Sequence, residues 1–435
     1  MCRLLFLLFL MLGALPAQTT TVSGRWLVTA DFHGTPLHYI LELAQQKDAL
    51  TGKFDGNPLE GGLLNGALEF FAKDERGNTT RCTARVAAGS MAGSLTFTDV
   101  GDPQYPTTRP FTARPVSSRS AGGPRRHDFQ PKVFHREFSA ANTPVLTIAP
   151  GDSVHTTTVD ASGIDEKGVT HVLGGNPQTG PFYIETAVPG DTLVVRLSRL
   201  RLNRDWALST DAIVERGLNS GLASIAKDNG KAVRWRLDLQ RGVATPSTPT
   251  ERLKNYSVPL RPMLGCIGVA PSMYGWTSAP THDSGSWGGN MDFNEVVEGA
   301  TIYLPVQVPG ALLYLGDGHA VQGDGELTGD ALETSMDVEF TVDVLPGKRL
   351  PGPRVESASH IMALGYAGSL DDAFRSATAG MAQWLADDYS LTASEVAQVL
   401  GTAAEYKVTE VADRNAGIVL KVDKERLRSL AKARN

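Results

Sequence analysis

Between residues 282 and 326 the chain gathers the side chains that hold divalent metals and move protons. His282-Asp283-Ser284-Gly285-Ser286-Trp287-Gly288-Gly289-Asn290-Met291-Asp292 opens this stretch, and Gly316-Asp317-Gly318-His319-Ala320-Val321-Gln322-Gly323-Asp324-Gly325-Glu326 closes it. Asp, Glu and His ligate metals and serve as general acids and bases. The glycines among them allow positive φ and let a ligand approach the backbone. Residues 300–315 between the clusters are apolar and broken by Pro309-Gly310, which reads as a strand hairpin with a functional cluster at each end. Gly-Asp-Gly and Gly-Gly-Asn are also ordinary turn sequences; their pairing around one apolar segment is what favours a site. If Asp324-Gly325-Glu326 is extended, its two carboxylates share one face. Like charges so placed repel unless a cation or a shared proton separates them. A metal is the simplest answer.

Such a site needs a scaffold, and the rest of the chain supplies strands. Residues 24 to about 111 show short alternating segments (24–32, 37–43, 49–54, 66–72, 79–87 and 91–98), each bounded by Gly, Asn or Asp. That spacing predicts a small all-β barrel or meander over 24–113. The repeated pattern in Leu50-Thr51-Gly52-Lys53-Phe54 and Met91-Ala92-Gly93-Ser94-Leu95-Thr96-Phe97 resembles lipocalin-type meanders. Residues 114–131, opening with Pro, Ser, Gly and Arg and little that is apolar, read as a linker. From 132 onward strand-like runs alternate with Pro-Gly turns at 150–151, 189–190, 309–310 and 346–347, which predicts a large β-sandwich. Val233-Arg234-Trp235-Arg236-Leu237-Asp238-Leu239 alternates throughout, and a short helix is expected within 206–225. After Pro353 the period changes to helical. Ser369 caps one helix that presents Ala373, Ala377, Met381, Trp384 and Leu385, and Thr392-Ala393-Ser394-Glu395 is a capping box for a second. A last strand is expected near 418–422. The fold class is therefore mainly β with a smaller α portion (α+β).

Met1-Cys2-Arg3, the apolar run 4–12 and Gly13-Ala14-Leu15-Pro16-Ala17 have the three-part layout of a secretory signal, so 1–17 is expected to be removed and the protein exported, periplasmic or secreted. The apolar run is shorter than the ~20 residues a bilayer span requires, and no membrane insertion is expected after cleavage. Two cysteines, Cys82 and Cys266, then remain, too few for a disulfide scaffold. A net charge of −6 carries no basic footprint for nucleic acid.

From about residue 134 to 428 the chain resembles the acetamidase/formamidase family of metal-associated amidohydrolases. The motifs that carry the likeness are Gly288-Gly289-Asn290-Met291-Asp292 and the segment from Gly316 to Glu326. Thr157-Thr158-Val159-Asp160-Ala161-Ser162-Gly163, Asn176-Pro177-Gln178-Thr179-Gly180-Pro181-Phe182 and Arg261-Pro262-Met263-Leu264-Gly265-Cys266-Ile267-Gly268 add to it. Ser286-Trp287 and Gly163-Ile164-Asp165 depart from the family pattern where substrate would enter. The resemblance implies cleavage of a short aliphatic amide to carboxylate and ammonia over residues 132–435. Its chemistry calls for a metal-activated water, because bound Zn²⁺ lowers the pKa of its water to ~7. Asp160, Asp292 and His319 are the expected metal ligands, with Zn²⁺ first and Ca²⁺ the alternative for so oxygen-rich a set. Glu326 is the expected proton shuttle, with Asp324 as its alternate or as part of the metal shell. Asn290, or the amides of Gly288 and Gly289, would receive the oxyanion, while Trp287 and His282 would border the substrate. Cys266 reads as a core thiol. Two readings compete: a non-catalytic ligand-binding protein on a degenerate amidase fold, and an amidohydrolase for a larger amide. A homo-oligomer is compatible with the sequence, which does not decide the state.

Overall fold

The computed structural model describes residues 21–87, 89–117, 119, 122–226, 230–272 and 277–430, so the expected signal at 1–17 lies outside the described residues. The chain divides into two compact units, Met1–Val116 and Ser117–Asn435.

The first unit is a closed eight-stranded barrel with strands in sequence order: β1 (Gly24–Phe32), β2 (Thr35–Gln46), β3 (Ala49–Phe54), β4 (Asn57–Leu64), β5 (Ala67–Lys73), β6 (Thr79–Ala87), β7 (Ser90–Thr98) and β8 (Thr107–Pro115). Period-two patterning explains it: along β5, Leu68, Phe70 and Ala72 are buried while their neighbours face out. The inward side chains, among them Trp26, Leu41, Phe54, Phe70, Leu95 and Phe111, fill the interior. β4 and β8 are additions to the expected set. Asn57-Pro58-Leu59-Glu60-Gly61-Gly62 hides a strand behind turn-type residues, and β8 runs into the segment expected to be linker. Arg126–Asp128, also expected in the linker, pairs in parallel with Ser153–Thr157, because backbone groups beside an open sheet edge gain partners there.

The second unit packs two sheets face to face. A nine-stranded sheet has the Thr192–Leu202, Met336–Leu345 and Thr301–Pro305 strands near its centre, and a twelve-stranded sheet is built around Met263–Val269 and Leu313–His319. Met336–Leu345 buries Met336, Val338, Phe340 and Val342 on one face, which meets Leu264, Ile267, Leu313 and Leu315 from the other sheet. Met263–Val269 and Leu313–His319 are buried at every residue. The expected hairpin over 300–315 is therefore corrected: its two strands belong to different sheets, and the turn at Pro309-Gly310 is a crossover between layers. A continuous apolar run fits a strand buried on both faces, and such a run does not reveal its neighbours.

The helices follow expectation. Leu370–Tyr389 starts at Ser369, whose side chain accepts from the Asp372 amide, and it buries Ala373, Ala377, Met381, Trp384 and Leu385. Ala393–Ala403 has the Thr392/Glu395 capping box, and the last strand is Ala416–Asp423. Within 206–225 only Ser220–Ile225 is α-helical; Trp206–Thr210 is a strand paired with Ala232–Asp238.

Candidate active site

Three short strands lay the floor of the site. Met263–Val269 pairs with Gly288–Asn290 on one side and Leu313–His319 on the other, which brings Cys266 opposite both Asn290 and Gly316. His319 lies opposite Glu333 on the next strand. The loop that follows Glu405–Val408 adds Glu410 and Asp413, tied to the 325 region by a Gly325–Glu410 bridge. Asp292, Asp317 and Glu326 all have left-handed backbones, with φ of 41°, 56° and 43°. Non-glycine residues pay roughly 1–3 kcal/mol for such conformations, which persist where the surroundings over-determine them. That three acids of one cluster share this feature marks the cluster as built for something other than stability.

The side chains converge in three overlapping sets whose donor atoms lie within 4.8 Å of one another: Asp292–Asp317–His319, His319–Glu326–Glu333 and Asp292–Glu410–Asp413. Gln322 accepts from His319 Nδ1 at 2.9 Å and is itself fixed by donating to the carbonyl of Asp292. His319 Nε2 is thereby left facing carboxylates, at 3.1 Å from Glu333, 3.5 Å from Asp317 and 4.0 Å from Glu326. Asp292 Oδ1, Asp317 Oδ1, His319 Nε2 and Glu333 Oε2 are enclosed without a hydrogen-bond partner among the described residues. Each such atom costs on the order of 1–3 kcal/mol if nothing satisfies it. Gly265 sits beneath them, where a Cβ would come 2.6 Å from Asp292 Oδ1, 2.7 Å from Asp317 Oδ2 and 2.8 Å from the His319 ring. Only glycine leaves that space open.

Electrostatics agree with the geometry. Burial, with the charges of Glu326 and Asp317, pushes Asp292 well above the usual carboxylate range. Burial raises Glu326 as well, with Glu333 and Asp317 adding and His319 opposing. At His319 burial disfavours the imidazolium, but Glu333 and Asp317 outweigh it and hold its pKa well above the ordinary value. Burial and Asp413 raise Glu410 to about 8, and burial raises Asp413 to about 6. So many buried carboxylates with raised pKa lack positive charge around them, and the mixed oxygen and nitrogen donors fit a divalent cation.

The structure brings Asp292, His319, Glu326 and Asn290 together and separates Asp160 and Asp324 from them. Asp160 is the clearest correction among the expected ligands: its Oδ2 accepts from Arg204 at 2.7 Å and its Oδ1 from the amides of Ser162 and Ile164. With those partners it is a satisfied counter-ion. Asp324 is half-exposed, paired with Lys407 at 3.0 Å and accepting from Asn294. The positive φ at Gly325 and Glu326 breaks the extended geometry that would have aligned it with Glu326. Asn290 Nδ2 already donates to Asp292 and to Asp413, so both its hydrogens are engaged rather than awaiting an oxyanion. Gly288 and Gly289 lie in a strand with neighbours on both sides, not in an open turn. Trp287 is buried and His282 exposed. Cys266 is a buried free thiol, pushed well up by burial, in keeping with a core role.

Sequence reasoning assigned no role to Asp317, Glu333, Glu410 or Asp413. Asp317 lies inside the closing motif, where Gly-Asp-Gly is also ordinary turn chemistry. Glu410-Val411-Ala412-Asp413-Arg414-Asn415, a polar run leading into an apolar strand, was the available signal for the last two.

Comparison with known proteins agrees with this geometry. Residues 275–352, which span Asp292, Asp317, His319, Glu326 and Glu333, match the model of the Acetamidase/Formamidase family. A predicted acetamidase/formamidase from the thermophile Thermoanaerobacter tengcongensis is 26% identical, with a TM-score of 0.61 over 71% of this chain and 99% of that one. An acetamidase from Yersinia enterocolitica is 29% identical, with a TM-score of 0.60 over 71% of this chain and 94% of that one. A Schizosaccharomyces pombe protein bearing the name formamidase is 51% identical over 41 residues, 9% of this chain; the match spans only 10% of that relative. The fold and site thus define a β-rich protein with a buried carboxylate–imidazole cluster. Over residues 275–352 the chain matches the Acetamidase/Formamidase family, and its second unit is similar in fold to solved acetamidases. The likeness of the barrel to lipocalin-type meanders stays a reading of its sequence.

Proposed function

We propose that this protein hydrolyses short linear amides to a carboxylate and ammonia, with Asp292, Asp317 and His319 holding a divalent cation and Glu326 carrying the proton. The observation that supports this most is the convergence of the Asp292, Asp317 and His319 side chains over Gly265, in a cluster where four enclosed polar atoms have no hydrogen-bond partner among the described residues. A bound Zn²⁺, or Ca²⁺ as the alternative, would polarise the amide carbonyl and acidify a water. The protein's own part is positional. Gln322 fixes the imidazole so that Nε2 faces the carboxylates, as partners behind a metal-binding histidine commonly do. Asn290 and Asn176 hold Asp292 and Asp317 in place, and Tyr366 donates to the Met291 carbonyl at 2.8 Å, steadying the chain next to Asp292. Glu326, with its raised pKa, takes a proton from the attacking water and returns it to the departing nitrogen, a task that suits a carboxyl tuned toward neutrality.

The decisive experiment measures metal content and ammonia release on the same preparations of wild type, Glu326→Gln and His319→Ala. Glu326→Gln should keep its metal and lose about 10²–10⁴-fold in turnover, while His319→Ala should lose both. Full activity in both variants would refute the assignment. Export belongs to the same proposal and rests on the layout of residues 1–17; N-terminal sequencing of protein from outside the cytoplasm should begin near residue 18.

A further inference from the structure

Three stretches of chain meet at the acid cluster, and outside it one half-buried lysine joins them. Asp292 leads directly into Asn294 and Glu295, Gln322 and Asp324 lead into Glu326, and Lys407 stands on the strand Glu405–Val408, just before Glu410. Lys407 Nζ donates to Asn294 Oδ1 at 2.8 Å and pairs with Asp324 Oδ1 at 3.0 Å. Glu295 lies 3.7 Å away and is engaged by Lys421 from the neighbouring strand. Asn294 is buried and uses its own amide across the same junction. Its Nδ2 donates to Asp324 Oδ1 at 2.8 Å and to the Gln322 carbonyl at 3.2 Å.

From there the bonds run inward. Gln322 Nε2 donates to the carbonyls of Asp292 and Thr409, and Gln322 Oε1 accepts from His319 Nδ1. Lys407 thus reaches the imidazole in two steps, through Asn294 and Gln322, while its ion pairs among the described residues are with no acid of the converging sets. An ammonium only donates, so Lys407 also decides which way the Asn294 amide faces: turned over, Nδ2 would point at Nζ. The loops so joined carry Asp292 and Glu326 on left-handed backbones, which persist only where neighbours hold them. Ion pairs to a half-exposed carboxylate contribute little to global stability. Groups behind metal ligands, in contrast, commonly change metal affinity by about 10–100-fold. The two roles are therefore separable by measurement.

We propose that Lys407 is a positioning residue for the cation site: by holding Asn294 and Asp324 together it fixes the spacing of the loops that carry Asp292 and Glu326, and with it the aim of Gln322 on His319. The inference rests on the reading of the cluster as a cation site. It also gives Asp324 a part in that site as an anchor for Lys407, in place of the proton transfer or metal ligation expected from its motif.

Two measurements on Lys407→Met test it, with Lys407→Arg as the rescue and Lys348→Met, which removes a comparable partly buried pair with Asp388, as the control. In metal-free wild type the amides of Asp292 and Gly325 are bonded to the carbonyls of Gly265 and Thr409. Hydrogen exchange over residues 291–296 and 321–326 should be about tenfold faster in metal-free Lys407→Met and unchanged in Lys348→Met. Titration calorimetry with zinc chloride should show binding weakened about tenfold in Lys407→Met, at a urea midpoint close to that of wild type. Lys407→Arg, which keeps a cationic donor, should recover most of both. Exchange and zinc affinity at wild-type values in Lys407→Met, or a loss of affinity matched by Lys348→Met, would overturn this proposal alone. Wild type that binds no zinc would refute the cation reading and the proposal with it.

Discussion

The second unit buries two charged constellations, and they are built on opposite principles. Around Arg204 every group has an answer: Nε donates to Trp206 and Thr334, Nη1 to the Asp165 carbonyl, and Nη2 to Asp160 and the Glu333 carbonyl, with the Trp206 ring 3.5 Å beneath. Around His319 at least seven titratable groups crowd together, and four of their atoms have no hydrogen-bond partner among the described residues. The contrast teaches that buried charge alone does not mark a site. Charge arranged with its hydrogen bonds complete fixes a loop, while charge left short of positive partners awaits one. The two meet at one residue, because Arg204 holds the backbone of Glu333 while the Glu333 side chain faces His319.

The largest effect expected from this contrast is a dependence on pH that only the unsatisfied cluster can produce. Burial raises Glu333 to about 8, with Asp317 adding and His319 opposing, and burial with Asp413 raises Glu410 to about 8. An unfolded glutamate releases its proton near ~4.3. Between those values the native state keeps protons that the unfolded chain gives up, so the metal-free protein is most stable at the acid end and weakens as pH rises towards about 8. For each of the two groups the loss is on the order of 5 kcal/mol. Calorimetry of chelator-treated protein across this window should show the transition of the second unit falling, and added zinc or calcium should restore it. A flat profile without metal would mean that the cluster lacks no cation.

How far the sequence revealed this depended on which interactions are local. The caps at Ser369 and Thr392 and the alternation in β5 are set by residues three or two apart, and they appear as expected. The pairing of Met263–Val269 with two distant strands is not local, so the apolar run at 300–315 showed strands but hid the sheet each one joins. The site divides along the same line. Asp292, His319 and Glu326 were visible because they sit in glycine-rich motifs of one stretch, whereas Glu410 and Asp413 arrive from more than eighty residues downstream of Glu326, an approach that only the folded sheet defines. Asp160 misled for the converse reason: its motif only resembles the family pattern, and its role depends on Arg204, whose place opposite it is a tertiary fact.

The satisfied constellation should break hardest under substitution. Arg204→Met keeps the apolar stem and removes the guanidinium, leaving Asp160 buried without its cation. Losing one partner of a buried pair typically costs about 3–5 kcal/mol. Urea denaturation should show that loss as a lower midpoint with an unchanged slope. Metal content per folded molecule should hold, because neither Asp160 nor Arg204 belongs to the converging sets.

Asp317→Asn sharpens the comparison because its expected sign is reversed. Asp317 adds repulsion to Asp292, Glu326 and Glu333, and the attraction it offers His319 is one of four that this imidazole receives from close carboxylates. Asparagine preserves the shape and leaves an amide oxygen to accept from Asn176, which now reaches Asp317 Oδ2 at 3.2 Å. With one charge removed from a cluster that has too many, the metal-free protein should gain about 1 kcal/mol, the trade-off expected where a site is strained for function. The same variant should bind zinc or calcium far more weakly and lose ammonia release with it. Chelator-treated wild type and variant compared by urea denaturation give the sign directly. A clear loss of stability in Asp317→Asn would place Asp317 with the Arg204 network, as a structural carboxylate, and would leave the His319–Glu326–Glu333 set to hold the cation alone.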